Sequence, residues 1–120
     1  MKTNLAQAFE SIKKPWTPKI VGELNEQHVK IATFEGEFIW HQHDHEDEMF
    51  LVVDGAIEIH LRDRVIKLER GEFYIVPRGV EHKPVAHARA SVLMFEPKTT
   101  RNTGTTDHAL TIESSDLDEV

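Results

Sequence analysis

Residues 40–48 run Trp-His-Gln-His-Asp-His-Glu-Asp-Glu, and the apolar residues 49–53 follow them directly. On a β-strand, residues two apart point to the same face, so His41 and His43 are able to converge on one point. Two imidazoles on one face are a common half-site for a first-row transition metal. Glu48 heads the apolar segment, where burying a carboxylate is costly unless it is paired or bound to metal. The stretch therefore suggests a metal site with His41, His43 and Glu48 as ligands.

A second stretch bears on the competing interpretation, in which residues 40–48 are a solvated, acidic, histidine-rich loop. Residues 71–82 run Gly-Glu-Phe-Tyr-Ile-Val-Pro-Arg-Gly-Val-Glu-His. The order is a glycine turn, a strand, a Pro-x-Gly turn and then His82, which favours the metal site. One alternative register stays open, because His43 and His45 form a second His-x-His pair with only two residues before Glu48.

The rest of the chain alternates short β-prone segments with turn residues. A capping pair at Asn4 and Gln7 and the apolar spacing after it predict an amphipathic helix over residues 4–13. The last residues, 98–120, predict a mobile tail, with 110–113 as an alternative edge strand. Nine β-prone segments with no helix between them favour an antiparallel sandwich or barrel over βαβ units. They are residues 19–24, 29–34, 37–43, 49–53, 56–61, 65–68, 73–76, 83–86 and 91–96.

The composition limits the classes of function. The 120 residues include 14 Lys and Arg against 21 Asp and Glu, for a formal net charge of −7, and no cysteine. An acidic chain without a basic run is a poor partner for nucleic acid or an anionic membrane surface. The lack of cysteine excludes a disulfide framework, a thiol nucleophile and a thiolate metal site. Because no long apolar segment is present, we expect a cytoplasmic protein with no membrane partner.

Taken together, the two stretches resemble the motifs of the cupin superfamily, in particular those of its small single-domain members. The first cupin motif contains H-x-H-x4-E-x6-G, and four positions match it: His41, His43, Glu48 and Gly55. The second contains G-x5-P-x-G-x2-H, and four more positions match it in register: Gly71, Pro77, Gly79 and His82. Two positions depart from the pattern. Gly36 lies one residue closer to His41 than the first motif asks, and Ala86 stands where the second motif ends in asparagine.

The resemblance implies an all-β fold, a double-stranded β-helix (jelly-roll) barrel with a short N-terminal helix. Residues 1–18 would form that helix and an extended arm, residues 19–97 the cupin barrel, and residues 98–120 a partly mobile C-terminal tail. The implied metal ligands are His41, His43, Glu48 and His82. By the same resemblance we expect a homodimer, and the exposed strand edges of a small open barrel give it a physical motive.

The resemblance also implies a class of chemistry. Three neutral imidazoles and one carboxylate make a mixed nitrogen and oxygen site suited to Fe(II), Mn(II), Ni(II), Co(II) or Zn(II). Four protein ligands leave positions free on an octahedral ion, where water or a substrate can bind. By the resemblance we expect a metal-dependent enzyme, a dioxygenase or an isomerase, that acts on a small polar molecule. The alternative is a non-catalytic ligand-binding or sensor module with a structural metal. Tyr74, Arg78 and His45 are candidates for the substrate pocket, and no catalytic residue is assigned.

Overall fold

Eight β-strands and one short α-helix form the regular structure of residues 2–119, which this computed structural model describes. The elements are α1 (Leu5–Glu10), β1 (Lys19–Leu24), β2 (Gln27–Glu37), β3 (Glu48–Asp54), β4 (Ala56–Leu61), β5 (Val65–Glu69), β6 (Phe73–Val76), β7 (His82–Pro97), a 3-10 turn (Ser114–Asp116) and β8 (Asp118–Glu119). Met1 and Val120, the outer ends of the predicted arm and tail, lie outside the described residues.

Strand β7 organises the fold because it is long enough to pair with strands from both halves of the barrel. From Val85 to Pro97 it pairs antiparallel with β2. Along its other edge, its first residues pair with β4, and the residues from Ser91 to Phe95 pair with β3. Further antiparallel pairs join β4 to β5, β3 to β6 and β1 to β2, while the short β8 lies parallel to β1. This topology confirms the predicted all-β jelly-roll barrel.

The barrel core follows the two-residue period of its strands. On β3, the side chains of Glu48, Phe50 and Val52 are buried, and the residues between them are half-buried. The same alternation continues on β7, where Met94 and Glu96 are buried. Two carboxylates therefore share the inward face with the apolar core. The main apolar cluster consists of Ala32, Phe34, Phe50, Val52, Ile57, Ile59, Leu61, Leu68, Val76, Ala86, Ala90, Val92 and Met94.

The N-terminal helix lies against the outside of the barrel. Asn4 accepts a hydrogen bond from the backbone N–H of Gln7 at 3.0 Å, so the predicted cap is present. The helix itself has six residues, fewer than the predicted range 4–13. Its buried residue Ala8 belongs to a small apolar cluster with Ile31 of β2. A membrane-spanning helix is absent from residues 2–119, since α1 is far below the necessary length.

The loop that carries the first histidines differs from its predicted conformation. The sequence pattern predicts a strand over residues 37–43, but β2 ends at Glu37 and only an isolated bridge, between His41 and His82, follows. Gly36 has a φ of +80° and interrupts the register between β2 and β7, which ends the regular pleat just before this loop. His41 and His43 therefore converge through a loop and not through strand alternation.

Two further boundaries differ from the prediction. Residues 83–86 and 91–96 are predicted as separate strands, but β7 runs through both. Residues 87–90 contain neither glycine nor proline, so nothing in this part of the chain breaks the strand. Residues 110–113 do not form the alternative edge strand; the short β8, at Asp118–Glu119, is the strand that pairs with β1.

The C-terminal segment packs against the loop that carries His41 and His43. Thr100 and Thr103 are almost completely buried, at 1% and 0% exposure. The backbone N–H of Thr105 donates a 3.1 Å hydrogen bond to the carbonyl of Gln42, which lies between the two histidines. This packing places part of the segment beside the candidate site. Its partial mobility in solution stays a prediction.

Gly104 makes the closest approach between this segment and the histidine loop, and its replacement tests that packing. A Cβ atom at Gly104 would lie 1.9 Å from the carbonyl oxygen of Gln42, so the backbone must move. We expect Gly104→Ala to lower the free energy of unfolding by about 1–3 kcal/mol more than Gly79→Ala, measured by urea unfolding. Gly79 is a matched control because it also has a positive φ but nothing within 4 Å of its added Cβ. Equal losses for the two variants would contradict the packing.

Candidate metal centre

Four side chains from two separate stretches of the sequence meet inside the barrel. They offer one ligand atom each, and these atoms all lie within 4.8 Å of one another. All four residues are between 0% and 4% exposed. Two come from the loop before β3, one is the first residue of β3, and one is the first residue of β7. The four residues, which we term the histidine cluster, are His41, His43, Glu48 and His82.

Backbone hydrogen bonds hold the two parts of the cluster together. His41 and His82 form an isolated antiparallel bridge, with N–H to carbonyl distances of 3.0 and 2.9 Å. The N–H of Gly79 donates to the carbonyl of His43 at 2.7 Å. Because Gly79 has a φ of +77°, the turn that brings this N–H into place suits glycine. The Pro-x-Gly turn of the second sequence stretch thus fixes the histidine loop of the first.

Two of the imidazoles are oriented by carbonyl groups. Nδ1 of His41 donates to the carbonyl of Ile39, and Nδ1 of His82 donates to that of Val80, both at 2.9 Å. A carbonyl only accepts, so the proton of each neutral ring lies on Nδ1 and the lone pair on Nε2. Nε2 of His82 is buried and has no hydrogen-bond partner among the described residues. This is the tautomer that metal-binding histidines adopt when the other ring nitrogen is held by a carbonyl.

Glu48 lies against the histidines. Its Oε1 is 3.1 Å from Nε2 of His43 and 3.4 Å from Nε2 of His82. Burial by itself raises the pKa of Glu48, but the hydrogen bond from His43 and the nearby imidazole of His82 outweigh burial and hold the pKa well below its usual range. Burial likewise lowers the pKa of His43, but the hydrogen bond and charge of Glu48 outweigh it and leave that pKa raised. The carboxylate is therefore an anion that a cation must balance.

The pKa of His41 shifts in the opposite direction to that of His43, and this predicts how the stability of the metal-free protein depends on pH. Burial, reinforced by the nearby His82, lowers the pKa of His41 to about 4. Between pH 6.5 and pH 4, the unfolded chain binds a proton at His41 that the folded protein does not, so stability falls as pH falls. In the presence of a chelator, we expect the free energy of unfolding of the wild type to fall by about 2 kcal/mol more than that of His41→Gln between pH 7 and pH 5. Urea unfolding at both pH values measures the difference, and parallel losses in the two proteins would contradict it.

The histidine cluster fits a divalent transition metal. Two ligands on opposite sides of an ion, each bound at 2.1 Å, are about 4.2 Å apart, so a spread of 4.8 Å needs only a small inward movement. An ion would also give the buried Nε2 of His82 the partner that it lacks among residues 2–119. Three imidazoles and one carboxylate suit Fe, Mn, Ni, Co or Zn, whereas calcium and magnesium prefer shells of oxygen. The cluster is therefore a group that could bind a metal, and its chemistry does not select one.

A buried ion pair beside the cluster was not predicted from the sequence. Lys30 on β2 and Glu96 on β7 are 2% and 4% exposed, and Nζ lies 3.0 Å from Oε1 of Glu96. Burial together with the charge of the neighbouring Glu48 raises the pKa of Glu96 well above its usual range. A signal was present in the sequence, because Lys30 alternates with Ala32 and therefore shares its inward face.

An apolar chamber adjoins both the histidine cluster and the ion pair. Its empty volume is about 460 Å³, a figure that includes the space that opens to solvent. The polar groups that line it belong to His41, Glu48, Lys30, Glu96 and Asn102. Aromatic rings pack closely around it: Trp16 stacks on Phe34 and Phe38 at centroid distances of 4.4 and 4.9 Å. The apolar wall is formed chiefly by Trp16, Phe34, Phe38, Phe50 and Met94.

The three residues predicted for a substrate pocket lie elsewhere. Tyr74 is half-buried and packs against the main apolar cluster. Arg78 is exposed and pairs with Asp47, with Nε 3.3 Å from Oδ1. His45 is also exposed and lines a shallow surface depression with Arg78. None of these three side chains lines the chamber beside the histidine cluster, so a role in a substrate pocket stays a prediction.

Comparisons with known proteins agree with this architecture. A family model described as a cupin domain matches residues 27–96. The crystal structure of a cupin-2 domain containing protein from Shewanella frigidimarina is 39% identical with a TM-score of 0.78, over 79% of this chain and 93% of that one. A crystal structure from Neisseria meningitidis is 26% identical with a TM-score of 0.75, over 81% and 99% of the two chains. The uncharacterized protein YdbB of Bacillus subtilis (strain 168) is 29% identical over 96 residues, which are 79% of this chain and 85% of that protein.

Proposed function

This chain belongs to the cupin family, and we propose that it is a metal-dependent enzyme, a dioxygenase or an isomerase, that acts on a small polar molecule. The observation that carries the proposal is the histidine cluster, with its converging ligand atoms and its almost complete burial. The apolar chamber beside the cluster supports a catalytic role over a purely structural one, because it offers a place for a substrate next to the metal ligands.

The residues of the site would set the conditions for such a reaction. A bound metal would supply Lewis acidity that polarises a carbonyl, enediol or carboxylate of the substrate. The carbonyls of Ile39 and Val80 hold His41 and His82 in position and keep their Nε2 lone pairs toward the cluster. Glu48 contributes the negative charge. The aromatic wall lowers the local dielectric constant, which strengthens electrostatic interactions inside the chamber.

A turnover assay separates this proposal from a non-catalytic ligand-binding module. We expect the Fe(II)-loaded protein to consume oxygen with one member of a panel of small acids, diketones and sugars, or the metal-loaded protein to isomerise one under nitrogen. Glu48→Gln is the matched control, because it keeps the shape of the side chain and removes its charge. Chromatography of the products measures turnover. Ligand binding without turnover in either condition would contradict the enzyme and favour the binding module.

We also propose that the protein is a homodimer that associates through the outer face of β6. Phe73 and Ile75 on this strand are 58% and 49% exposed. β6 pairs with β3 alone among the described strands, so its other edge is open to a second copy. We expect light scattering to give twice the chain mass for the wild type and for the control Leu24→Glu, whose wild-type side chain is 58% exposed on β1. A Phe73→Glu/Ile75→Glu variant should be monomeric, and a monomeric wild type would contradict the proposal.

A further inference from the structure

The chamber contains a second polar site that the metal-binding role does not use. The side chains of Lys30, Ala32 and Phe34 all line the chamber from the inward face of β2. Glu96 lines it from β7, two residues after Met94. The ammonium of Lys30 and the carboxyl of Glu96 are therefore placed among aromatic and aliphatic groups, directly beside the carboxylate of Glu48.

Both members of the pair have hydrogen-bonding capacity that the described residues leave unfilled. Oε2 of Glu96 is buried and has no hydrogen-bond partner in residues 2–119. The ammonium of Lys30 donates to Oε1 of Glu96 and, at 3.4 Å, to the carbonyl of Thr100, which uses two of its three protons. Buried polar groups in native proteins are nearly always satisfied, so these atoms indicate a ligand with complementary polar groups.

The balance of charges indicates the sign of that ligand. The cluster and the pair together contain the anion Glu48, the cation Lys30 and the carboxyl of Glu96. With a divalent ion bound, the sum is +1 if Glu96 is ionised and +2 if it is protonated. The loaded site is positive in either state. In a chamber of low dielectric constant, an unbalanced positive charge favours an anionic ligand.

We propose that Lys30 and Glu96 form a second polar anchor, and that the chamber binds small organic acids with an apolar body and a hydroxyl next to the carboxylate. The inference rests on the proposed metal site. The ligand carboxylate would lie between the histidine cluster and the ammonium of Lys30, the hydroxyl would donate to Oε2 of Glu96, and the body would pack against Phe34 and Phe38. Lys30 is then the residue that selects acids over neutral analogues.

Titration calorimetry of the Co(II)-loaded full-length protein with mandelate tests the anchor. Mandelamide lacks the charge, and phenylacetate lacks the hydroxyl. Since hydrogen bonds to charged groups are the stronger class, we expect mandelate to bind at least about 10-fold more tightly than mandelamide and more tightly than phenylacetate. Lys30→Met should weaken mandelate binding by about 10-fold or more. The control Lys98→Met, which removes a half-exposed lysine at the surface, should change it by less than about 2-fold.

A second variant and a measurement without metal separate failure of the polar anchor from failure of the metal site. If Lys30→Met does not fold, as judged by circular dichroism, Lys30→Met/Glu96→Leu replaces the pair with apolar groups and is used in its place. Co(II) binding without mandelate binding, or equal mandelate affinity with and without Lys30, would overturn the anchor and leave the metal site standing. Failure to bind Co(II) would overturn the metal site. In that case Lys30-dependent mandelate binding in the presence of a chelator supports the anchor, and its absence overturns it.

Discussion

Replacement of His82 by alanine is expected to weaken the affinity for Co(II) or Zn(II) by more than about 100-fold. Loss of an outer hydrogen-bonding partner of a ligand already costs roughly 10–100-fold, and His82 is itself a candidate ligand, fully buried with its Nε2 beside Glu48. Competition against a chromophoric chelator measures the affinity. His87→Ala is a matched control, because His87 lies on the same strand, is 78% exposed and lies outside the cluster.

The same variant links metal binding to stability. If the ion binds only to the folded protein, free metal at 100 times its dissociation constant raises the free energy of unfolding of the wild type by about 2.7 kcal/mol. We therefore expect a chelator to lower the melting temperature of the wild type and of His87→Ala, and to leave that of His82→Ala unchanged. Metal affinity in His82→Ala equal to that of the wild type would contradict the assignment of this ligand.

The second large effect concerns stability without metal. Lys30→Met should lower the free energy of unfolding by about 3 kcal/mol in the presence of a chelator, because it leaves the carboxyl of Glu96 buried beside Glu48 with no cation. The value is at the lower end of the range for broken buried ion pairs, because Glu96 is able to take up a proton. Urea unfolding at pH 7 measures the loss.

A double variant distinguishes the ion pair from simple packing. In Lys30→Met/Glu96→Leu the whole pair is replaced by apolar groups, so we expect most of the stability to return, to within about 1 kcal/mol of the wild type. If packing of the Lys30 side chain were the main contribution, the double variant would be at least as unstable as Lys30→Met. That result would contradict the assignment of the loss to an unpaired carboxyl.

The residues of the histidine cluster were predictable because His41, His43 and Glu48 carry a local chemical signal and His82 matches the second cupin motif. His41 and His43 stand two apart, Glu48 opens an apolar strand, and His82 follows a Pro-x-Gly turn. These features do not depend on exact strand boundaries. The cluster is present although residues 38–43 form a loop where a strand was predicted. The prediction that a strand brings the histidines together was wrong, while the set of side chains brought together agrees with the prediction.

The buried ion pair was missed because a charged side chain is ordinarily placed at the surface. Lys30 lies in a β-prone segment whose alternation puts it on the same face as the buried Phe34, and that conflict was the available signal. Its partner Glu96 is 66 positions away in the sequence, and no local pattern joins the two. Their pairing depends on the register between β2 and β7, which only the structure supplies.

The packing of the C-terminal segment could not be predicted from apolar periodicity. Its buried residues are threonines that satisfy their hydroxyls internally: Thr100 donates to the carbonyl of Pro97 at 2.7 Å, and Thr103 shares a 2.7 Å hydrogen bond with Thr111. Asn102 accepts from the backbone N–H of Ile112 at 2.8 Å. These contacts are polar and specific to the folded segment. A search for apolar periodicity therefore does not detect the residues that hold this segment in place.

Anomalous diffraction from crystals grown with Co(II) would show whether the four side chains share one ion. At the cobalt absorption edge, we expect one strong peak inside the barrel, within about 2.0–2.2 Å of Nε2 of each of the three histidines and of an oxygen of Glu48. No peak at this position, or cobalt bound only at surface histidines, would show that these four side chains do not share an ion.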